Sequence, residues 1–139
     1  MKAKAIPSAG SGHRILIVDD NVSLTRTMSL VLGRKGYAVT TAKDGPQAIS
    51  RVKEIPFDVI FMDIKMPHMD GVETYRRIKK IGTEAVVMMM TAYAVEDLVQ
   101  EALQEGAYGI VYKPLDIEKM VDVIEEAREA KEGAAHPGG

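Results

Sequence analysis

The stretch VIFMDIKMPHMDG, Val59–Gly71, decides the fold of this chain. It begins with four apolar residues in a row, which is typical of a strand that is buried on both faces of a parallel sheet. This run ends directly in a carboxylate, Asp63. A second stretch, ILIVDD at Ile15–Asp20, has the same arrangement with two aspartates. Scattered surface charge would not select strand ends in this way, so the pattern indicates a functional site at one edge of a sheet.

Strand and helix patterns alternate along the rest of the chain. Five apolar or β-rich runs are predicted as strands, at residues 14–18, 37–42, 58–62, 85–90 and 108–112. Apolar residues recur at helical spacing after each of them. The second run is the most polar, which places it near an edge of the sheet. Strict alternation with short links predicts an α/β fold in which a parallel sheet has helices on both faces.

Aspartates are predicted to cap three of the helices. Asp44 and Asp116 precede the second and fifth helical patterns, and Asp70 with Glu73 forms an Asp-x-x-Glu arrangement before the third. Asp20 is an alternative cap for the first helix.

Composition limits the class of protein. The 139 residues suit one domain, and the net charge of −2 gives no support for a surface that binds nucleic acid directly. There is no cysteine, so a disulfide framework and a cysteine nucleophile are excluded. No apolar run approaches the roughly 18 residues that cross a membrane, and no secretory signal is apparent. We expect a cytoplasmic protein with a flexible segment at 1–13, a folded domain at 14–131 and a flexible tail at 132–139.

Polar residues follow four of the predicted strands. They are Asp19 and Asp20, Asp63, Thr91 and Lys113. The carboxyl ends of parallel strands meet at one edge of the sheet, where ligands bind. Three ionised carboxylates there need a cation, and oxygen ligands without histidine or cysteine favour Mg²⁺. With the lysine, such a site would attract a phosphoryl group, and one carboxylate could be the nucleophile that forms an aspartyl phosphate.

Each of these residues also has a purely structural interpretation. Asp20 and Thr91 could cap helices, Asp63 could be a turn residue, and Lys113 could be solvated surface. Their coincidence at four strand ends favours the site. Pro114 makes the preceding peptide bond rigid, and the sequence leaves its cis or trans state open.

Four stretches together resemble the receiver domain of two-component response regulators. They are ILIVDD, VIFMDIKMPHMDG, VVMMMTAY and YGIVYKP. The resemblance covers Arg14–Lys131. It implies a flavodoxin-like (βα)5 three-layer sandwich with a five-stranded parallel sheet in the order 2-1-3-4-5. It also implies a signalling phosphoacceptor rather than an enzyme with its own substrate.

The resemblance assigns roles to the residues of the site. Asp63 matches the phosphoacceptor, which takes its phosphoryl group from a histidine kinase or a histidine phosphotransfer protein. Asp19 and Asp20 match the acid pair that holds Mg²⁺, and Lys65 matches the position whose backbone carbonyl completes the metal shell. Lys113 matches the lysine that pairs with the phosphoryl group.

The resemblance also predicts how the signal is transmitted. Thr91 matches the switch hydroxyl, and Ala92 matches a small residue that keeps the site accessible. The family usually has an aromatic residue at the position of Ile110. Tyr108 and Tyr112 lie two residues on either side, and strand alternation would put all three on one face. We hypothesise that this altered arrangement conveys the switch. The alternative is that Ile110 only contributes to packing.

Lys65 and Tyr93 lie two residues after the acceptor and the threonine, at positions that flank the attacking water in this family. A long cation and an aromatic ring there would obstruct or misorient that water, which predicts slow self-dephosphorylation with a lifetime longer than minutes. The alternative is that both side chains point into solvent. A phosphohydrolase with an aspartate nucleophile is an alternative, but it would need an aspartate at position 65 as general acid.

The predicted output surface combines the fourth helix, the fifth strand and the fifth helix. Its predicted members are Val95, Glu101, Tyr108, Tyr112 and Lys119. The partner is an unidentified downstream protein, and a phosphorylation-dependent dimer is left open. The sequence also leaves open whether the chain acts alone or is a module from a hybrid histidine kinase or a multidomain regulator.

Overall fold

The computed structural model describes residues 13–92 and 96–135. Five strands and five helices alternate along them: β1 Arg14–Val18, α1 Val22–Arg34, β2 Ala38–Ala42, α2 Gly45–Glu54, β3 Val59–Asp63, α3 Gly71–Ile81, β4 Val86–Thr91, α4 Glu96–Glu105, β5 Gly109–Tyr112 and α5 Ile117–Ala135. All strand pairs are parallel, and the strand order is β2-β1-β3-β4-β5. The predicted flavodoxin-like topology and the edge position of β2 are therefore confirmed.

Two apolar layers cover the two faces of the sheet. Side chains of β3 alternate between them, because Ile60 lies in the layer formed with α2, α3 and α4, and Phe61 lies in the layer formed with α1 and α5. Every residue of β3 is buried, as the unbroken apolar run predicts. The central strands are thus held on both faces, and this fixes the positions of the residues at their carboxyl ends.

The predicted caps form at three helices. Asp44 and Asp70 each accept a hydrogen bond from the backbone N–H three residues later, and Asp116 accepts one from the N–H two residues later. The cap of α1 is Asn21, whose Oδ1 accepts the N–H of Leu24 at 3.1 Å. The alternative role of Asp20 as a helix cap is therefore wrong.

Ion pairs join α3 to α4. Nε of Arg76 lies 2.8 Å from Glu105, and its Nη2 lies 3.1 Å from Glu101. The carboxylate of Glu73 pairs with Arg76 and Arg77 on its own helix, so only the Asp70 half of the predicted Asp-x-x-Glu arrangement is observed.

The element boundaries differ from the predictions at several points. The strands β2, β3, β4 and β5 each begin one residue later than predicted. β3 and β4 include Asp63 and Thr91 as their last residues, and α5 ends at Ala135, four residues after the predicted end of the domain at Lys131. Most of the segment predicted to be flexible at 1–13, and the end of the predicted tail, lie outside the described residues. Among the described helices, none is long and apolar enough to cross a membrane.

Candidate functional site

Three carboxylates meet at the carboxyl edge of the sheet. Val18 lies beside Met62 in the register of β1 and β3, so the next residues, Asp19 and Asp63, are neighbours. One carboxylate oxygen from each of Asp19, Asp20 and Asp63 lies within 4.8 Å of the others. Asp19 and Asp63 are buried and Asp20 is exposed, so the cluster is open to solvent on one side.

Backbone hydrogen bonds fix the orientation of Asp19. Its N–H donates to the carbonyl of Ala42 at 3.0 Å, and its Oδ1 accepts the N–H of Asn21 at 2.9 Å. Asn21 thereby positions Asp19 while its own side chain caps α1, a double role that the sequence reasoning missed. An asparagine directly before a helical pattern was the signal that could have indicated it.

The ammonium of Lys113 lies between the two buried carboxylates. Its Nζ is 2.5 Å from Oδ2 of Asp19 and 3.4 Å from Oδ2 of Asp63. Desolvation lowers the pKa of Lys113, but the hydrogen bond to Asp19 and the charges of both aspartates outweigh it, and the net shift of the pKa is upward. The lysine is therefore a permanent cation at neutral pH. The Lys113–Pro114 bond, left open by the sequence, is cis.

The pKa of the Asp63 carboxyl group is well above that of an ordinary aspartate. Burial, followed by the negative charge of Asp19, raises its pKa to about 6, although Lys113 and the backbone N–H of Lys65 act in the opposite direction. The carboxyl is thus mostly ionised at pH 7 and available as a nucleophile.

The loop after β3 packs closely against Asp63. The N–H of Gly71 donates to the carbonyl of Ile64 at 2.8 Å. A Cβ at Gly71 would lie 2.3 Å from the backbone oxygen of Asp63, so only glycine allows α3 to begin here. His68 in the same loop has a φ of 72°, in the left-handed region that residues other than glycine rarely adopt.

Thr91 ends β4 beside the acidic cluster. Met90 pairs with Asp63 in the register, which puts Thr91 just past Asp63 on the neighbouring strand, and Thr91 is fully buried. α4 begins at Glu96, five residues later, so Thr91 is not its cap. Ala92 is exposed. Tyr93 and Val95 lie outside the described residues.

The three predicted switch positions near β5 have different surroundings. Ile110 is partly buried against the layer that contains α4. The hydroxyl of Tyr108 donates to Glu126 of α5 at 2.7 Å, and Tyr108 and Tyr112 are 48% and 60% exposed. Ile110 and the Tyr108 hydroxyl therefore contact different helical layers, a difference that strand alternation alone did not anticipate.

The donor set fits a hard divalent cation. Three carboxylate oxygens from different positions converge, and one face of the cluster is open to water, as a partly hydrated cation requires. The structure thus brings Asp19, Asp20, Asp63 and Lys113 together as the sequence predicted. The carbonyl role of Lys65 stays a prediction.

Comparisons with known proteins agree with this geometry. The family model described as the response regulator receiver domain matches residues 15–125. The transcriptional regulatory protein ZraR of Klebsiella oxytoca is 41% identical over 119 residues, which are 86% of this chain and 27% of that protein. The chain thus spans about a quarter of the length of this relative.

Two further relatives are slightly shorter than this chain. The chemotaxis protein CheY of Bacillus subtilis is 35% identical over 113 residues, which cover 81% of this chain and 94% of that protein. The solved structure of the chemotaxis protein CheY4 of Vibrio cholerae superposes with a TM-score of 0.78 at 30% identity, covering 84% of this chain and 98% of the other.

Proposed function

Because this chain belongs to the response regulator receiver domain family, we propose that it is a phosphorylation-activated switch of a two-component phosphorelay. One observation carries the proposal. Asp19, Asp20 and Asp63 converge at the carboxyl edge of the sheet with the ammonium of Lys113 between the two that are buried.

Asp63 is the proposed nucleophile. A carboxylate oxygen attacks the phosphorus of a phosphohistidine in a histidine kinase or phosphotransfer protein. A P–O bond forms as the P–N bond breaks, and its electron pair leaves with the imidazole nitrogen. The product is an acyl phosphate on Asp63. Lys113 then pairs with a phosphoryl oxygen, and the Thr91 hydroxyl donates to another.

The carboxylates of Asp19, Asp20 and Asp63 and the carbonyl of Lys65 would hold Mg²⁺. When bound, this cation supplies positive charge that offsets the repulsion among the carboxylates and the phosphoryl oxygens. Asn21 contributes by holding Asp19 in the orientation that faces the cluster. The chain itself therefore supplies a preformed set of oxygen ligands.

The switch would spread from Thr91 to the surface formed by α4, β5 and α5. Phosphorylation would bias an equilibrium between two arrangements of this surface, with Ile110, Tyr108 and Tyr112 as its reporters. The downstream partner is a protein that distinguishes the two arrangements. The lengths of the relatives support two contexts for this switch, a stand-alone protein like CheY and a module of a larger regulator like ZraR.

We also propose slow loss of the phosphoryl group, because Lys65 is exposed beside Asp63 and Tyr93 follows Thr91 by two residues. Lys65→Asn and Tyr93→Ala are expected to shorten the lifetime of the phosphorylated chain. Intact mass, recorded at intervals after removal of the phosphodonor, measures this lifetime. A short wild-type lifetime that neither substitution changes would contradict this.

Intact mass after incubation with acetyl phosphate tests the function. We expect one phosphoryl adduct in the wild type, dependent on Mg²⁺ and absent in Asp63→Asn. The matched control is Asp122→Asn, which removes an exposed carboxylate on α5 and should leave the adduct unchanged. Failure of the wild type to accept phosphate from acetyl phosphate and from phosphoramidate, together with failure to bind beryllofluoride, would refute the proposal.

A further inference from the structure

A groove lies between the edge strand β5 and the helix α5. Its cavity volume is about 360 Å³. The buried side chains of Met88, Val111 and Val123 form its base, and the exposed Tyr112 and Pro114 contribute apolar surface to it. β5 pairs only with β4 among the described strands, so the groove is at an open edge of the sheet.

The rim of the groove is mainly acidic. Asp116, Asp122 and Glu126 line it, with Lys119 as the one cation among its lining residues. All four are exposed. Asp116 accepts the N–H of Glu118, and Glu126 accepts the Tyr108 hydroxyl. Neither contact neutralises a carboxylate, so the rim keeps a net negative charge.

Aromatic surface adjoins this rim. Tyr112 lines the groove and is 60% exposed, and Tyr108 is 48% exposed. Exposed tyrosines beside an apolar floor are typical of surfaces that bind other proteins, because the ring offers contact area and the hydroxyl a hydrogen bond. These residues belong to the proposed output surface, so the groove is where a partner would engage it.

We infer that the β5–α5 groove binds a positively charged peptide segment of the downstream partner, with an apolar side chain against Tyr112 and Pro114 and lysine or arginine side chains against Asp122 and Glu126. Charge complementarity carries the choice of partner, since a fixed negative rim attracts cationic segments and disfavours acidic ones. Because the groove belongs to the proposed output surface, this inference rests on the proposed function.

A second copy of the chain fits the groove less well. A two-fold symmetric contact places the same patch of both copies face to face. The acidic rim with Asp122 and Glu126 would then face the acidic rim of the other copy, and like charges in contact are unfavourable. The residues before His13 are a competing occupant, because they contain Lys2 and Lys4 and no acidic residue.

Titration of the isotope-labelled full chain with a defined probe tests the inference. The probe is the acetylated, amidated peptide Lys-Ala-Lys-Leu-Ala-Lys, and its control has glutamate at each lysine. We expect amide shift changes centred on residues 109–112 and 119–126 with the lysine peptide and none with the glutamate peptide. The effect should weaken as salt is raised from about 50 mM to about 500 mM.

Two variants with the same change of charge separate the groove from general electrostatics. Asp122→Lys is expected to weaken binding of the lysine peptide about fivefold, because it removes one attractive charge and adds a repulsive one. Asp122 is chosen because Asp116 caps α5 and Glu126 accepts the Tyr108 hydroxyl. Glu84→Lys, an exposed residue between α3 and β4, should change the affinity by less than about twofold.

Several results would overturn the inference. They are equal binding of the two peptides, shift changes centred elsewhere, and an unchanged affinity in Asp122→Lys. A chain without residues 1–12 that binds the probe much more tightly would assign the groove to that segment instead of a partner. Treatment of the same sample with acetyl phosphate and Mg²⁺, with intact mass as the readout, separates the two proposals. A phosphoryl adduct without probe binding overturns the groove alone. Probe binding, together with no adduct from acetyl phosphate or phosphoramidate and no binding of beryllofluoride, overturns the proposed function alone.

Discussion

The Lys113 ammonium lies 2.5 Å from Oδ2 of Asp19, a residue that is 1% exposed. The same ammonium lies 3.4 Å from Asp63, so one cation compensates two buried carboxylates on neighbouring strands. Removal of one partner from a buried ion pair leaves an uncompensated charge, and this costs more than the pair itself contributes.

Lys113→Gln is therefore expected to lower the free energy of unfolding at neutral pH by about 2 kcal/mol. Urea unfolding without divalent cations measures the change. The control is Lys80→Gln on the exposed face of α3, which should stay within about 0.5 kcal/mol of the wild type. Equal stability of the Lys113 variant and the control would show that the ammonium does not compensate the carboxylates.

Asp63→Asn is expected to stabilise the metal-free protein in a pH-dependent way. The pKa of Asp63 is raised to about 6 from 3.8, so the folded chain binds this proton more tightly than the unfolded chain does. The wild type gains stability as the pH falls from about 6 toward about 4, and it carries the full cost of the buried charge above pH 6.

At about pH 7.5 the asparagine variant should thus be more stable than the wild type by up to about 3 kcal/mol, and the difference should vanish near pH 4. Urea unfolding at a series of pH values in a chelating buffer measures it. Asp122→Asn serves as the exposed control, and its free energy of unfolding should stay within about 0.5 kcal/mol of the wild type at every pH. A difference for Asp63→Asn that does not vary with pH would contradict the account.

Asp20 and Asn21 are adjacent but should respond differently to substitution. Asp20→Asn should leave the metal-free stability nearly unchanged, because this side chain is exposed and does not cap α1, and it should abolish the rise in melting temperature on addition of Mg²⁺. Asn21→Ala should cost about 1 kcal/mol by loss of the cap. Its Mg²⁺ response should persist, since Asp19 is held by the backbone N–H of residue 21. Thermal melts of both variants with and without Mg²⁺ measure these effects. A Mg²⁺ response that persists in Asp20→Asn and is lost in Asn21→Ala would refute Asp20 as a metal ligand and Asn21 as the cap alone.

Two glycine-to-alanine substitutions should change the free energy of unfolding in opposite directions. Gly71→Ala places a Cβ 2.3 Å from the backbone oxygen of Asp63 and should destabilise the fold by about 3 kcal/mol. Gly33→Ala meets no heavy atom within 4 Å, and in the last turn of α1 it should stabilise by about 0.5 kcal/mol. Chemical unfolding of both variants tests this, and an unchanged stability of Gly71→Ala would mean that the loop after β3 can move away from Asp63.

The fold and the acidic cluster were predictable because both depend on local sequence patterns. Unbroken apolar runs identify strands that are buried on both faces, and the residues directly after them must lie at one edge of a parallel sheet. Asp19, Asp63 and Lys113 were found in this way.

Contacts between distant residues and choices between similar neighbours were not predictable. Asp20 and Asn21 are both good helix caps, and only the packing of Asp19 against the N–H of residue 21 decides between them. Glu73 was assigned to a cap, but arginines on its own helix compete for its carboxylate. The pairs of Arg76 with α4 join residues 25 and 29 positions apart, a separation at which no local pattern applies.

The most direct test of the central claim is to locate the phosphoryl group by borohydride trapping. Borohydride reduces an acyl phosphate to an alcohol, which converts a phosphorylated aspartate into homoserine. After treatment with acetyl phosphate and Mg²⁺, peptide mass spectrometry should find homoserine at position 63 in the wild type and no trapped product in Asp63→Asn. Homoserine at another aspartate, or a phosphoryl adduct on the intact chain that borohydride does not convert, would contradict the assignment of Asp63 as the acceptor.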